Sequence, residues 1–265
     1  MLTILFVGVA ISMLLYYLIW QWAHRGHRQI RRGTQTLNAL EKFSEPAKAA
    51  GILIVPSMGF FGGLGDLLTT AAMGDWNEAD EIRLAVALDS WKPTRGTRLT
   101  GERNPGRRFV FSKNGLSLVD APPSSLPWDF PPPFGSQEIV AFPLSETIVM
   151  SRHLHTPENH AYLNRIAVDD IHDPRTHEPT PTDESGRSDQ RFRMGVIVQR
   201  GEAKRRAAIS GRDIYAITAP LVVEAVERIL TGDMRTAGTV APGQIFDARG
   251  FLNALSPEFL SLDLK

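Results

Sequence analysis

The chain has 265 residues with 29 basic and 29 acidic side chains, so its formal net charge is zero and no nucleic acid is indicated as a partner. It contains no cysteine, which excludes disulfides, thiolate catalysis and cysteine-ligated zinc. A chain of this length can form one large domain or two small ones.

The first 23 residues carry no charged side chain, and residues 2–22 are almost wholly apolar with aromatic side chains near their end. A helix of ~20 apolar residues spans a bilayer core, and aromatic residues favour its interface. A basic cluster follows at once and favours the cytoplasmic side. We therefore predict a single-pass transmembrane helix over 1–23, a basic juxtamembrane linker with a short helix over 24–49, and a cytoplasmic main domain over 50–265.

Two other interpretations of the N-terminal segment stay open. A signal peptide carries its positive charge before the apolar core and ends at small residues. Here the charge comes after the core, and Trp20 and Trp22 make a poor cleavage site. The segment could also be buried in the protein or be the product of a rearranged reading frame.

A glycine-rich turn separates a short apolar run at 51–55, predicted to be a buried strand, from a helical pattern at 64–73. A turn that leads into a helix N-terminus can hold an anion or the edge of a cofactor. Close packing of the chain is the alternative role for these glycines. The candidate cofactor-binding residues are Gly59, Gly62 and Gly63.

Alternating apolar residues and turn signals predict several more strands. They lie at 81–88, in a hairpin over 108–119 through Asn114 and Gly115, at 138–144, and in a hairpin of 191–198 and 204–210 around Gly201. Helices are predicted at 145–154, 218–230 and 247–255, and long loops at 120–135 and 173–189. The elements predict an α+β fold, a mixed, largely antiparallel sheet with helices on one face, preceded by one N-terminal hydrophobic helix.

The residue types that carry common hydrolytic or metal chemistry do not form a recognisable pattern. His153 and His155 are two residues apart, but the sequence around them offers no third ligand at fixed spacing. We interpret them as surface or structural histidines and predict no metal site. A Gly-x-Ser-x-Gly nucleophile motif is absent from the sequence.

Several segments resemble one family in their order along the chain. They include GFFGGLGD at 59–66, ADEIRLAV at 79–86, PTRGT at 93–97, SGRDIYAITAP at 210–220 and APG with FDAR within 241–249. Together they are similar to the C-terminal portion of saccharopine dehydrogenase-like oxidoreductases, from roughly residue 40 onward.

This resemblance implies NAD(P)-linked hydride transfer on a small or lipid-like substrate. The family normally begins with a dinucleotide-binding βαβ unit, and no matching glycine turn precedes Gly51. We therefore expect only the substrate or oligomerisation half here, incomplete or inactive alone, with a homo-oligomer or a separate dinucleotide-binding chain as partner. The alternatives are a membrane-tethered, non-catalytic module that binds a partner protein or lipid-like ligand, and a remnant without activity.

Four polar side chains are candidates for chemistry or substrate binding. Tyr215 could donate a proton, with Arg212 lowering its pKa or binding a substrate carboxylate. Local pairing of Arg212 and packing of Tyr215 under the next helix is the alternative. Arg95 and Arg98, in a predicted loop, could bind the substrate head or instead brace the loop against nearby carboxylates.

Overall fold

The computed structural model describes residues 35–103, 108–119, 122–232 and 236–264. The helices of this part are α1 Gln35–Lys42, α2 Ser44–Ala49, α3 Gly65–Met73, α4 Arg95–Arg103, α5 Ser145–Met150, α6 Arg165–His172, α7 Thr218–Thr231, α8 Pro242–Ile245 and α9 Ala248–Leu255. The strands are β1 Leu53–Ile54, β2 Glu81–Leu88, β3 Phe109–Ser112, β4 Gly115–Leu118, β5 Ser125–Asp129, β6 Ser136–Ala141, β7 Glu158–Asn164, β8 Arg191–Arg200, β9 Ala203–Arg212, β10 Gly238–Thr239 and β11 Leu260–Leu264.

Nine of the described strands form one mixed, largely antiparallel sheet, which confirms the predicted α+β class. Its order is β11-β9-β8-β2-β7-β3-β4, and β6 also pairs with β7 and carries β5 at its edge. Within this sheet β2 and β7 run parallel, with Leu84 opposite Ala161. The short strands β1 and β10 form a separate parallel pair.

One face of the sheet carries the main core. The alternating residues of β2 predicted to be buried are buried, because they belong to one cluster with residues of α3, α7 and α9. The cluster includes Leu84 of β2, Leu67 of α3, Leu221 of α7 and Phe251 of α9. The sheet therefore has a helical layer over its central strands.

The opposite face of β2 is buried as well. Ala85 and Ala87 are fully buried with Phe130, and Trp128 packs against the same cluster. The region 120–135, predicted to be a loop, therefore contains strand β5, which pairs with β6. The prediction failed there because proline suppresses strand patterns, although it is tolerated in an edge strand such as β5.

The strand predicted at 51–55 is confirmed in part, whereas its predicted burial was wrong. Only Leu53–Ile54 is a strand, and it is half-buried, while Ile52 is 51% exposed. This strand pairs along one edge with Gly238–Thr239.

The helix predicted to follow the glycine turn is confirmed as α3. It is preceded by an irregular π-type turn, Phe60–Leu64. It ends at Gly74, whose positive φ of 56° lies in the range that glycine adopts without steric cost.

Other elements differ from the sequence prediction in position or kind. The β3–β4 turn is centred on Lys113 and Asn114, both with positive φ, one residue earlier than predicted. The predicted loop around Arg95 is the start of helix α4. Five further elements were not predicted from the sequence: β7, α6, β10, α8 and β11.

Helix α7 buries less of its apolar side than its pattern predicted. Leu221 and Ala225 are buried, whereas Val222, Val226 and Leu230 are exposed by 41% to 78%. The segment after Asp213 is a turn, and Asp213 adopts a positive φ of 58°.

The predicted transmembrane helix over 1–23 lies outside the described residues. Of the helices in the described part, none combines the length and apolarity that a membrane span needs.

Candidate functional site: an aromatic cavity

A cavity of about 760 Å³ lies between the glycine turn, α1, α4 and the start of α5. Its walls are mainly apolar, and aromatic side chains dominate them: Phe60, Phe61, Trp91, Phe109, Phe142 and Tyr215. The ring centroids of Phe61 and Trp91 are 5.2 Å apart, and those of Trp91 and Phe142 are 6.2 Å apart. A concave, largely apolar pocket with a few polar groups is the usual form of a small-molecule site.

The Tyr215 hydroxyl forms a hydrogen-bonded junction in the cavity wall. It accepts the indole N–H of Trp91 at 2.9 Å and the backbone N–H of Thr94 at 3.2 Å. Its distance to the Thr97 hydroxyl is 3.0 Å. Because the two N–H groups occupy its lone pairs, the phenol directs its proton to Thr97. Proton donation from Tyr215 to a ligand therefore requires the bond to Thr97 to break.

The backbone before Tyr215 is fixed by the carboxylate of Asp213. Its oxygens accept the N–H groups of Ser188 at 2.7 Å and of Tyr215 and Ala216 at 3.0 Å each. Burial by itself would raise the pKa of Asp213. The N–H donors outweigh burial, so that pKa lies below the ordinary aspartate value. The charged carboxylate thus holds Tyr215 at the cavity wall.

Arg108 contributes a cation to the same cavity. Its guanidinium carbon lies 3.4 Å from the centroid of the Phe142 ring. Burial lowers the pKa of Arg108 to about 10, and the nearby Glu146 acts in the opposite direction. The guanidinium therefore stays charged at neutral pH, and stacking on the ring fixes its position.

Glu146 lies behind the cavity wall on α5 and is buried. One of its oxygens accepts the Leu144 N–H at 2.9 Å, while Oε2 has no partner in the described part of the chain. Burial raises the pKa of Glu146 to about 7, although the Leu144 N–H and the charge of Arg108 lower it. Glu146 therefore titrates near neutral pH beside the charge of Arg108.

Three hydroxyl groups that the sequence did not single out meet in the cavity. Thr36 donates to Ser145 at 2.9 Å and lies 2.7 Å from the Ser57 hydroxyl. Because Thr36 has a single hydroxyl proton, Ser57 is the donor in that second bond. These residues are 109 positions apart at most, so only the tertiary structure brings them together.

The glycine turn uses its own backbone N–H groups internally. Gly59 and Gly63 both donate to the Ser57 carbonyl, and Leu64 donates to Gly59. Gly62 has a φ of +145°, and a Cβ there would overlap Ser57. Gly59 lines the cavity, whereas Gly62 and Gly63 do not. Gly59 and Gly63, two of the three predicted cofactor-binding glycines, therefore use their N–H groups within the turn and do not direct them at the pyrophosphate of a dinucleotide.

The three predicted arginine sites lie outside the cavity lining. Arg212 bonds to Asp183 and to the Ser188 carbonyl, both at 3.1 Å. Arg98 donates to the Thr176 carbonyl at 2.6 Å, and Arg95 is exposed on α4. Of the predicted site residues, Tyr215 and Gly59 therefore line the cavity, and the three arginines do not.

A hydrogen-bonded histidine–aspartate pair lies elsewhere in the core. His153 Nε2 is 2.7 Å from Asp66 Oδ1, and the N–H of Gly243 donates to the other carboxylate oxygen at 2.7 Å. The pair joins α3 to α8, which is a structural role. Among the described residues, no three histidine, aspartate or glutamate side chains gather as metal ligands would.

Neither the models of known protein families nor the curated protein sequences give a match to this chain.

Proposed function

We propose that this chain binds an amphiphilic small molecule in the aromatic cavity, as the substrate-side domain of a saccharopine dehydrogenase-like oxidoreductase. The observation that carries the proposal is the cavity itself, about 760 Å³ in volume, with stacked aromatic walls and few polar groups. Apolar walls bind the body of a lipid-like molecule, and the sparse polar groups orient it. The sequence resemblance supplies the reaction class.

The cofactor in this proposal is NAD(P), which supplies the hydride when it is bound. This chain's own residues bind and orient the substrate and exclude water. Because Gly59 and Gly63 donate their N–H groups within the turn, we assign the dinucleotide to a binding unit on a separate chain.

Displacement of a fluorescent fatty-acyl probe from the purified protein tests ligand binding. We expect saturable binding that unlabelled acyl compounds reverse. Thr100→Trp places a large side chain in the cavity lining and should weaken binding at least tenfold. Leu99→Trp, on the same helix but outside the lining, is the control and should bind as the wild type does. Equal binding by both variants would show that the ligand does not bind in the cavity.

The second candidate is a non-catalytic binding module, and the internal hydrogen bonds of Gly59 and Gly63 favour it. Titration of the ligand-saturated protein with NADH and NADPH, followed by fluorescence, distinguishes the oxidoreductase domain from the binding module. Micromolar binding supports the oxidoreductase. No binding up to millimolar concentration supports the module.

We also propose that residues 2–22 tether the domain to a membrane on its cytoplasmic side, based on their apolar sequence and the basic cluster that follows. Cell fractionation tests this proposal. Recovery of the full-length protein wholly in the soluble fraction would rule out the tether.

A further inference from the structure

Arg108 alone carries a charged side chain among the described residues that line the cavity. Its guanidinium is stacked on Phe142, with 3.4 Å between the guanidinium carbon and the ring centroid. Stacking uses the face of the guanidinium and leaves its N–H groups in the plane, directed away from the ring. In the described part of the chain, no acceptor takes a hydrogen bond from these N–H groups.

Within the described part of the chain, the charge of Arg108 is only partly compensated. The nearby acid, Glu146, has a pKa raised to about 7 by burial, so about half of its population is neutral near that pH. The ring of His172 also contacts Phe142, with the two ring centroids 6.4 Å apart, and Tyr215 is a further titratable group that lines the cavity. A desolvated cation with incomplete pairing gains more from an anionic partner than an exposed one does.

The aromatic wall continues directly from this cation. Phe142 contacts Trp91, and Trp91 contacts Phe61, with centroid separations of 6.2 Å and 5.2 Å. A ligand that reaches Arg108 with a charged head therefore has an apolar surface for the rest of its length.

We propose that Arg108 binds the carboxylate of an acidic amphiphile whose apolar body lies along Phe142, Trp91 and Phe61. The inference rests on the proposed function, because it names the head group of the ligand for the same cavity. A guanidinium matches a carboxylate with two parallel hydrogen bonds. One cation neutralises a single negative charge, so the geometry favours a carboxylate over a doubly charged phosphate monoester.

Three probes with the same alkyl chain test this assignment in displacement titrations of the full-length protein: a carboxylate, a primary alcohol and a phosphate monoester. We expect wild-type protein to bind the carboxylate about 10- to 100-fold more tightly than the alcohol. Arg108→Gln should lose that preference while it still binds the alcohol. Arg108→Lys keeps the charge but cannot form the two parallel hydrogen bonds of a guanidinium. It should retain part of the preference.

Arg165→Gln is the matched control, because it removes an exposed cation that pairs with Glu138 and does not line the cavity. It should preserve the wild-type preference. An undiminished preference in Arg108→Gln, or tighter binding of the phosphate monoester than of the carboxylate, would overturn the inference and leave the proposed function standing. Failure of all three probes to bind wild-type protein would instead overturn the proposed function.

Discussion

The indole N–H of Trp91 donates to the hydroxyl of Tyr215 at 2.9 Å, joining residues 124 positions apart in the chain. The same hydroxyl accepts the N–H of Thr94, which directly precedes α4. The bond therefore connects the end of the sheet, the turn before α7 and the cavity wall. Because Trp91 is buried, its N–H depends on this single acceptor.

Replacement Tyr215→Phe should lower the free energy of unfolding by about 1–3 kcal/mol, because two N–H donors lose their acceptor. Urea denaturation measures the change. Tyr162→Phe is the control: Tyr162 is also buried, but its hydroxyl has no hydrogen-bond partner in the described residues. An equal loss in both variants would mean that the junction at Tyr215 contributes nothing specific.

Glu146 should make stability depend on pH. Burial raises its pKa to about 7 from an ordinary 4.5, so the folded state keeps a proton that the unfolded state releases. The stability from this group is therefore fully present below about pH 4.5 and is lost as the pH rises to about 7. The loss amounts to about 3 kcal/mol.

Glu146→Gln should remove this part of the pH dependence, because the side chain no longer ionises. Urea denaturation of both proteins at about pH 5 and pH 8 measures it. We expect the variant to be the more stable protein at the higher pH, by an amount of the same order. Parallel stability profiles for wild type and variant would contradict a buried, titrating Glu146.

Ligand affinity should fall as the pH rises through about 7, if the ligand is the proposed acid. Ionised Glu146 repels the ligand carboxylate and competes for the charge of Arg108, whereas protonated Glu146 does neither. Titrations of the carboxylate probe across this range measure the effect. Glu146→Gln should bind with nearly constant affinity, and the alcohol probe should show no such dependence.

Gly62→Ala should lower the free energy of unfolding by more than about 2 kcal/mol. The φ of +145° at Gly62 disfavours any side chain, and the added Cβ would overlap the Ser57 carbonyl oxygen. Gly101→Ala is the control. A Cβ at Gly101 meets nothing within 4 Å, and alanine there should stabilise α4 by up to about 1 kcal/mol. A neutral Gly62→Ala would show that the turn can relax.

Sequence patterns were most informative in elements whose residues alternate regularly between buried and exposed positions. The alternation in β2 and the apolar residues of α3 predicted both elements and their buried sides, because periodic burial leaves a periodic signal. The hairpin of β8 and β9 was predicted for the same reason and is longer than expected. The pattern failed for β5, where proline interrupts it, and for β1, which is too short to show a period.

The candidate site was predicted only in part. Tyr215 and Gly59 drew attention through their sequence context, and both line the cavity. Arg108 and Glu146 did not, because their importance comes from burial next to each other, and burial of a charged residue has no local sequence signal. The hydroxyl cluster of Thr36, Ser57 and Ser145 was missed because its members lie far apart in the sequence.

The sequence alone therefore determined the α+β class and the helix that follows the glycine turn, since local periodicity and backbone preference encode both. Tertiary structure decided which side chains line the same cavity and which charged side chains are buried away from water. Those properties depend on contacts between residues far apart in the chain, as between Arg108 and Phe142, and on the low polarity that folding creates around them.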